Sequence, residues 1–218
     1  MKVEIWSDIV CPFCYIGKRR FERALAEFGQ KDKIEVIYRS FQLTPEVKTD
    51  PEISVVHHLA EKKGISVEKA REMTAYVSEQ AASEGLEYHM DDAVVANTFN
   101  SHRLLCHALA RGKQLAMKER LLKAYFIEGK NIDDIPTLIA LSEEIGVTDA
   151  EFILEKDSYS DEVKRDILHS KQLGIQGVPF YVFDQKYGVS GAQDSKVFLE
   201  TISQSFKEWE EATFQSKG

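Results

Sequence analysis

The sequence has no long apolar run. Nowhere do about 18 uncharged apolar residues follow one another, the least that spans a bilayer as a helix, so a membrane span is excluded on length. Positive charge is also short: 28 Lys and Arg stand against 36 Asp and Glu, a formal charge of -8. Nucleic acids and anionic membranes are held by basic surfaces, so neither is an expected partner. Cysteine is rare, at three in 218 residues, too few for a structural disulfide framework. Met1 to Asp8 enter a strand-like alternation directly, without an apolar segment or a small-residue cleavage site. That start predicts a cytoplasmic protein without a secretion signal. No internal repeat, low-complexity tract or Ser/Gly linker breaks the chain.

What is present is ordinary globular material, 43% hydrophobic and 29% charged, at a length that suits one domain with an insertion or two small domains. Alternation predicts strands over Val3–Trp6 and Ile34–Tyr38, with a helix over Pro12–Phe28 between them whose stripe is Phe21, Leu25 and Phe28. The pattern then turns helical. Helices are expected over Ser54–Lys63, Ser66–Ser83, Ala93–Arg111, Gln114–Ile127, Pro136–Ile145, Thr148–Lys156 and Asp161–Leu173. Thr148, three residues before Glu151, looks like a capping box, and Gly112, Gly146 and Gly174 stand where helices should stop. Strands return as a hairpin, Phe180–Phe183 and Tyr187–Ser190, turning at Asp184-Gln185-Lys186. A last amphipathic helix runs over Ser195–Glu211 behind Asp194 as its N-cap. The order β-α-β, helical block, β-β-α implies an α/β domain made from both chain ends, residues 1–44 plus 175–218, with a helical insertion over 45–174.

The chemistry centres on Cys11-Pro12-Phe13-Cys14, which closes the first strand and opens the first helix. A sulfur at a helix N-terminus sits in partial positive charge that favours the thiolate, the only form that attacks a disulfide. Cys11 is therefore expected to be the nucleophile and the more acidic thiol, and Cys14, one turn on, the resolver of the mixed disulfide. A zinc site would need two further ligands; Cys106 stands alone, His102 and His107 are not four apart, and there is no second Cys-x-x-Cys. No metal or nucleotide cofactor is expected.

Ser7-Asp8-Ile9-Val10-Cys11-Pro12-Phe13-Cys14-Tyr15-Ile16-Gly17, with Gly177-Val178-Pro179-Phe180 far downstream, resembles the DsbA superfamily, and within it the FrnE-like branch. Ala124-Tyr125-Phe126-Ile127-Glu128-Gly129-Lys130-Asn131-Ile132 resembles a segment of that family too, so the likeness covers nearly the whole chain. It implies a thioredoxin-like fold with an inserted all-helical domain, and a disulfide oxidoreductase acting on protein or small-molecule thiols and disulfides. By resemblance Cys11, Cys14 and Pro179 carry catalysis, Pro179 is cis with its backbone against the sulfurs, and Pro12, Phe13 and Val178 meet the substrate. An X-Pro bond is the one place where cis costs only about 0.5–1 kcal/mol. With no N–H at Pro179, the Val178 backbone is left to pair with an extended peptide.

One feature of thioredoxin-like enzymes is absent: Ile5 stands where an acidic residue often precedes the first cysteine by six positions. Asp8 is nearer but reads as a turn or cap residue. Relatives that use glutathione, the kappa-class transferases and 2-hydroxychromene-2-carboxylate isomerases, grip its γ-glutamyl end with a turn that Gly191-Ala192-Gln193-Asp194 resembles. Gln193 and Asp194 would then bind glutathione as co-substrate, and the competing reading is plain helix capping by Asp194. A redox-regulated binding protein is a third class. Cys106, among Leu104, Leu105, Ala108 and Leu109, reads as a core thiol, and His57-His58 as surface histidines. Asn97-Thr98-Phe99-Asn100-Ser101-His102-Arg103 resembles a FrnE-like signature whose polar side chains face either the cleft or solvent.

Overall fold

The computed structural model describes residues 1–215. In chain order the elements are β1 (Lys2–Ser7), α1 (Pro12–Phe28), β2 (Glu35–Ser40), β3 (Asp50–Ser54), α2 (Val55–Lys63), α3 (Val67–Ala82), β4 (Val94–Val95), α4 (Phe99–Ala110), α5 (Gln114–Phe126), α6 (Ile135–Glu144), α7 (Ala150–Glu155), α8 (Ser160–Gln172), β5 (Phe180–Phe183), β6 (Tyr187–Ser190) and α9 (Ser195–Gln215). Four strands make one sheet in the order β2-β1-β5-β6. β1 runs parallel to β2 and antiparallel to β5, so Ile5 faces Tyr38 on one side and Tyr181 on the other. This is the expected thioredoxin-like sheet, assembled from the two ends of the chain around a mainly helical block.

Val3 to Ser7 are all buried, because the central strand is covered on both faces. On one face α1 and α9 pack Phe21, Ala24, Phe198, Ile202 and Phe206 onto Val3, Ile5, Tyr181 and Phe183. On the other, the Trp6 indole donates to the Asp166 carbonyl of α8 at 3.1 Å. The edge strand β2 is closed without a further strand. Gln114 of α5 donates to the Tyr38 carbonyl and accepts from the Tyr38 N–H, both at 2.9 Å, and Asp166 accepts from the Ser40 N–H at 3.0 Å, satisfying an edge that would otherwise pair with another chain. The β5–β6 hairpin turns through Asp184 and Gln185, both in the left-handed region, which matches the twist of the strands.

The helical block has its own core, in which Leu104, Leu105, Met117, Leu121, Leu122, Phe126, Leu138 and Leu141 surround Tyr15 and Ile16 of α1. Helix α1 thus belongs to both cores. A polar network reinforces the shared side: Glu119 of α5 accepts from Tyr15 Oη at 2.7 Å, from Arg19 and from Lys18. Burial alone would raise the Glu119 pKa, but these donors outweigh it and hold the carboxyl at about 2.

Most predicted elements form with shifted ends. Gly112, Gly146 and Gly174 are left-handed where helices stop, and Ser54, Ser66 and Asp194 cap α2, α3 and α9. Two expectations fail. The helix predicted to start at Ala93 starts at Phe99, because Val94 and Val95 pair with β3 instead. Asn97 keeps that stretch extended by donating to the Pro45 and Val47 carbonyls and accepting from the Phe99 N–H. The helical block therefore carries a small two-stranded sheet. Nor is Thr148 a cap: Asp149 holds the N-cap position of α7, with its carboxylate turned to His107 and Arg111 instead of the helix.

The Glu119 network makes a pH-dependent prediction. A carboxyl depressed to about 2 in the folded chain adds stability above its unfolded pKa, near 4.5, and loses it as pH falls toward 2. Allowing for the partial exposure of Glu119, Glu119→Gln should cost about 1–2 kcal/mol at pH 7 and close to nothing near pH 2. Denaturant unfolding across that range measures it; an equal cost at both ends would show that the network is not electrostatic.

Candidate active site

β1 ends at Ser7, and a short loop delivers Cys11 to the N-cap of α1 in extended backbone (φ -89°, ψ 110°), followed by Pro12, whose fixed φ suits the first turn. Cys11 makes no side-chain cap bond, which leaves its sulfur free for chemistry. The Cys14 N–H donates to the Cys11 carbonyl at 3.0 Å, so the two sulfurs lie one turn apart. Both cysteines are free and almost fully covered, 4% and 2% exposed. Phe13 between them stands out at 42% exposed. From the other end of the chain the Val178 carbonyl accepts from the Cys11 thiol at 3.4 Å, and the Val178–Pro179 bond is cis. The Val178 N–H has no partner among the described residues. Tyr88 Oη donates to the Pro12 carbonyl at 2.8 Å and pins the turn from the helical side.

Gly17 lets this meeting happen. A Cβ there would lie 2.6 Å from Tyr181 Oη and 3.1 Å from Pro179 Cγ, so any larger residue pushes α1 off the Val178–Pro179 loop.

The charges around the sulfurs are buried as well. Asp8, 1% exposed, accepts from the Ile9 and Leu43 N–H groups, each at 2.8 Å, and its Oδ1 lies 3.2 Å from His102 Nε2. Burial pushes Asp8 up, but His102 and these amides win and hold it below the usual carboxylate range. It is a clasp between its own loop, the segment that follows β2, and α4, in keeping with a turn residue. The two sulfurs titrate together. A hydrogen bond toward Cys14 is the main cause that raises the Cys11 thiol, with burial adding to it. Burial opposes charge on Cys14 too, yet the Cys11 hydrogen bond, the Lys118 ammonium, the Ser7 hydroxyl and the Asp8 backbone draw it below the ordinary value. This is the reverse of the order expected from helix position. The N-terminus of α1 favours charge at Cys11, and the Cys11 hydrogen bond, Lys118 and Ser7 outbid it at Cys14.

Two cavities flank the motif. One of about 710 Å³ opens from Cys11 between α1, α2 and α3; its apolar wall includes Phe13, Leu43, Val55, Leu59, Met73 and Val77. A smaller one, about 350 Å³, lies across Val178 and Pro179 and is lined by Phe13, Ile16, Arg20, Gln80 and Gly191. Cys11 faces the first; Cys14 lines neither.

The structure brings Cys11, Cys14, Pro12, Phe13, Val178 and Pro179 together, and leaves Gln193 and Asp194 aside. Those two are exposed; Gln193 donates to the Ser190 carbonyl and Asp194 accepts from the Lys196 N–H. In the 97–103 signature, Thr98 lines the large cavity, His102 reaches Asp8, and Arg103 donates to the Ile153, Leu154 and Ser158 carbonyls, tying α4 to α7. Its His and Arg are buried, facing neither cleft nor solvent. Cys106 is not a core thiol. It is half-buried on a separate cavity of about 430 Å³ beside Arg39, Tyr159 and His169, where burial pushes its pKa up to about 12. Sequence reading missed Lys118 and Ser7. The signal was there for Lys118, which stands on the buried stripe Gln114, Lys118, Leu121, Leu122, Tyr125 of α5. Among the described residues no cluster of His, Cys, Asp or Glu could hold a metal ion, and no helix is long and apolar enough to cross a membrane.

Comparison with known proteins agrees with this geometry. The family model described as a DSBA-like thioredoxin domain matches residues 2–203. A solved structure from Streptomyces coelicolor, described as a probable DsbA oxidoreductase, is 40% identical with a TM-score of 0.88, over 95% of this chain and 91% of that one. YwbO of Bacillus subtilis, an uncharacterized protein, is 28% identical over 94% of this chain and 97% of its own. The cytosolic disulfide reductase DsbM of Pseudomonas aeruginosa has a similar fold at 16% identity, with a TM-score of 0.60 over 99% of both chains, and has also been solved with GSH.

Two outcomes are expected at the site. Because the sulfurs share a proton and only Cys11 faces a cavity, one thiolate should form below the roughly 8.5 of a free cysteine, and iodoacetamide should add one equivalent, on Cys11. Alkylation rate against pH with peptide mapping reads both; preferential labelling of Cys14 would contradict it. Gly17→Ala should cost about 1–3 kcal/mol in denaturant unfolding, as overpacking does, and slow reaction at Cys11. Wild-type stability in that variant would mean that the loop has room to move.

Proposed function

The chain belongs to the DSBA-like thioredoxin domain family, and on that footing we propose that it is a thiol–disulfide oxidoreductase working through Cys11 and Cys14 on cysteine pairs in proteins or on small thiols. The observation that carries this reading is the position of Cys11: at the head of α1, facing the large cavity, with the Val178 carbonyl at 3.4 Å. In the reducing direction the proton shared by the sulfurs passes from Cys11 to Cys14 as Cys11 attacks the substrate disulfide. A bond forms between Cys11 and one substrate sulfur, and the other leaves with the electron pair. Cys14 then gives up its proton and attacks Cys11; the Cys11–Cys14 disulfide forms, the substrate thiolate departs and takes up a proton, and two electrons have passed to the substrate. In the oxidising direction the same steps run backwards.

The roles of the neighbours follow. The unpaired Val178 N–H suits an extended substrate backbone laid beside the disulfide, and Pro12, Phe13 and Pro179 form the rim over which it passes. The apolar wall of the large cavity favours substrates with an apolar group beside the reacting sulfur. The scarcity of cysteine fits a cytoplasmic setting. A second reading, in which glutathione is the co-substrate, draws on the smaller cavity: about 350 Å³ across Val178–Pro179, with Arg20 and Gln80 in its wall, has room for a tripeptide. Gln193 and Asp194 would serve it only after releasing their local bonds.

Cys14→Ser should accumulate mixed disulfides through Cys11, since the attacking sulfur remains and the resolving one is gone. Mass spectrometry of adducts purified from cells, before and after reduction, identifies the partner. Protein adducts support exchange with proteins, and glutathione alone supports the second reading. No adduct, together with full activity in Cys11→Ser, would remove both.

A further inference from the structure

Resolution needs charge on the inner sulfur, and this chain has Ile5 where related enzymes often carry an acid. We propose that Lys118 is the positioning residue for that step, its ammonium holding the Cys14 thiolate while it attacks Cys11; this rests on the exchange reading above. Lys118 sits in the middle of α5 with no exposure, and its Nζ has no hydrogen-bond partner among the described residues. Its Nζ stands over the Tyr38 ring of β2, 5.4 Å from the centroid. An ammonium so buried and unpaired is costly, and an orphan of this kind calls for a role or a partner that comes and goes.

The surroundings leave one such partner. The groups that bear on Lys118 are Asp8, Cys11, Cys14 and Lys18 from the loop and α1, with Tyr38 from β2. The Asp8 carboxylate is taken by His102, Ile9 and Leu43. Lys18 donates to Glu22 at 2.6 Å and to Glu119, and it repels Lys118. Cys11 points to Val178 and the cavity. Cys14 is the group whose charge comes and goes with the redox cycle, and Lys118 is the cation that bears on it. Ser7 Oγ, also buried and without a partner by distance, adds a dipole on the same sulfur. Burial pushes Lys118 down and the sulfurs and Asp8 push it back up, so its charge is most secure when Cys14 is ionised.

In the resolving step the Cys14 S–H bond breaks and its proton passes to the substrate thiolate released by the first attack. The Cys14 sulfur bonds to Cys11, the bond from Cys11 to the substrate sulfur breaks, and the substrate leaves as a thiolate that recovers a proton. Lys118 keeps its own protons throughout and stabilises the charge between the first and second of these events.

The test uses the full chain and a symmetric aryl disulfide that releases a coloured thiolate at each step: attack by Cys11 gives the first release and resolution by Cys14 the second. Lys118→Met should leave the first release within about twofold and slow the second about tenfold or more at neutral pH, with its pH profile moved upward, since one pKa unit is a factor of ten. The reduction potential should fall by about 30 mV for each tenfold loss of thiolate stabilisation. A folded Lys118→Met with an unchanged second release and pH profile would overturn the inference and leave the exchange reading intact. A wild-type chain that never gives the second release would overturn both. Should Lys118→Met fail to fold, NMR titration of isotope-labelled Cys14 in Cys11→Ser decides: ionisation below that of an ordinary cysteine supports the role, and ionisation at or above it overturns it.

Discussion

Helix α1 has to be gripped from two sides while its first turn stays reactive. Its lower half gives Phe21 and Ala24 to the core under the sheet, and its upper half gives Tyr15 and Ile16 to the core of the helical block. The sulfurs lie at the end where these grips meet, backed by the Val178–Pro179 loop from the far end of the chain. A helix held only by the sheet could roll and change the distance from Cys11 to that loop. The Glu119 cluster prevents this on the α5 side, and Tyr88 does so at Pro12. Pre-positioning of this kind is what lets one sulfur reach another without a search.

The buried charges follow the same geometry. Asp8 is saturated and structural; Lys118 is unsaturated and, on our proposal, functional. Asp8 stands in the loop before the motif and Lys118 on α5, and the sulfur pair lies in the field of both. A low-dielectric site magnifies either influence. The thiol order therefore departs from what a helix terminus alone would set: the terminus acts on Cys11 over one turn, whereas a cation and two dipoles act on Cys14 in a place water does not reach.

Much of this was legible in the sequence because the signals are local. Proline after the first cysteine, glycine at helix ends and the period-two strands describe their own segments, and the β-α-β, helix, β-β-α order follows from them. The motif and the distant Val178-Pro179 pair were legible too, through resemblance. What escaped depends on pairings across the chain. Val94 and Val95 look helical in isolation and become a strand only because Asp50–Ser54 lies alongside. Thr148 has the spacing of a cap, but Asp149 is engaged with His107 and Arg111. Cys106 sits on an apolar stretch, yet its side meets the cavity near Arg39. Lys118 was overlooked because a lysine in a helix is read as solvent-facing until the opposite wall is known.

The two sides of the large cavity are built differently. One is α1 with its two cores. The other is α2 and α3, where Val56, Ala60 and Ala70 form a small cluster of their own, separate from both cores. The far end of α3 is anchored, with Val77 and Ala81 in the core of the helical block, but little apolar area holds α2 and the start of α3, so that part belongs to the low-stability end of the molecule, where local opening costs less than unfolding the rest. The enzyme-like end of the chain is thus a fixed anvil facing a yielding jaw. On the proposed exchange reading, substrates of different girth are admitted by moving the jaw alone, while the distance between the sulfurs and the Val178 carbonyl stays set.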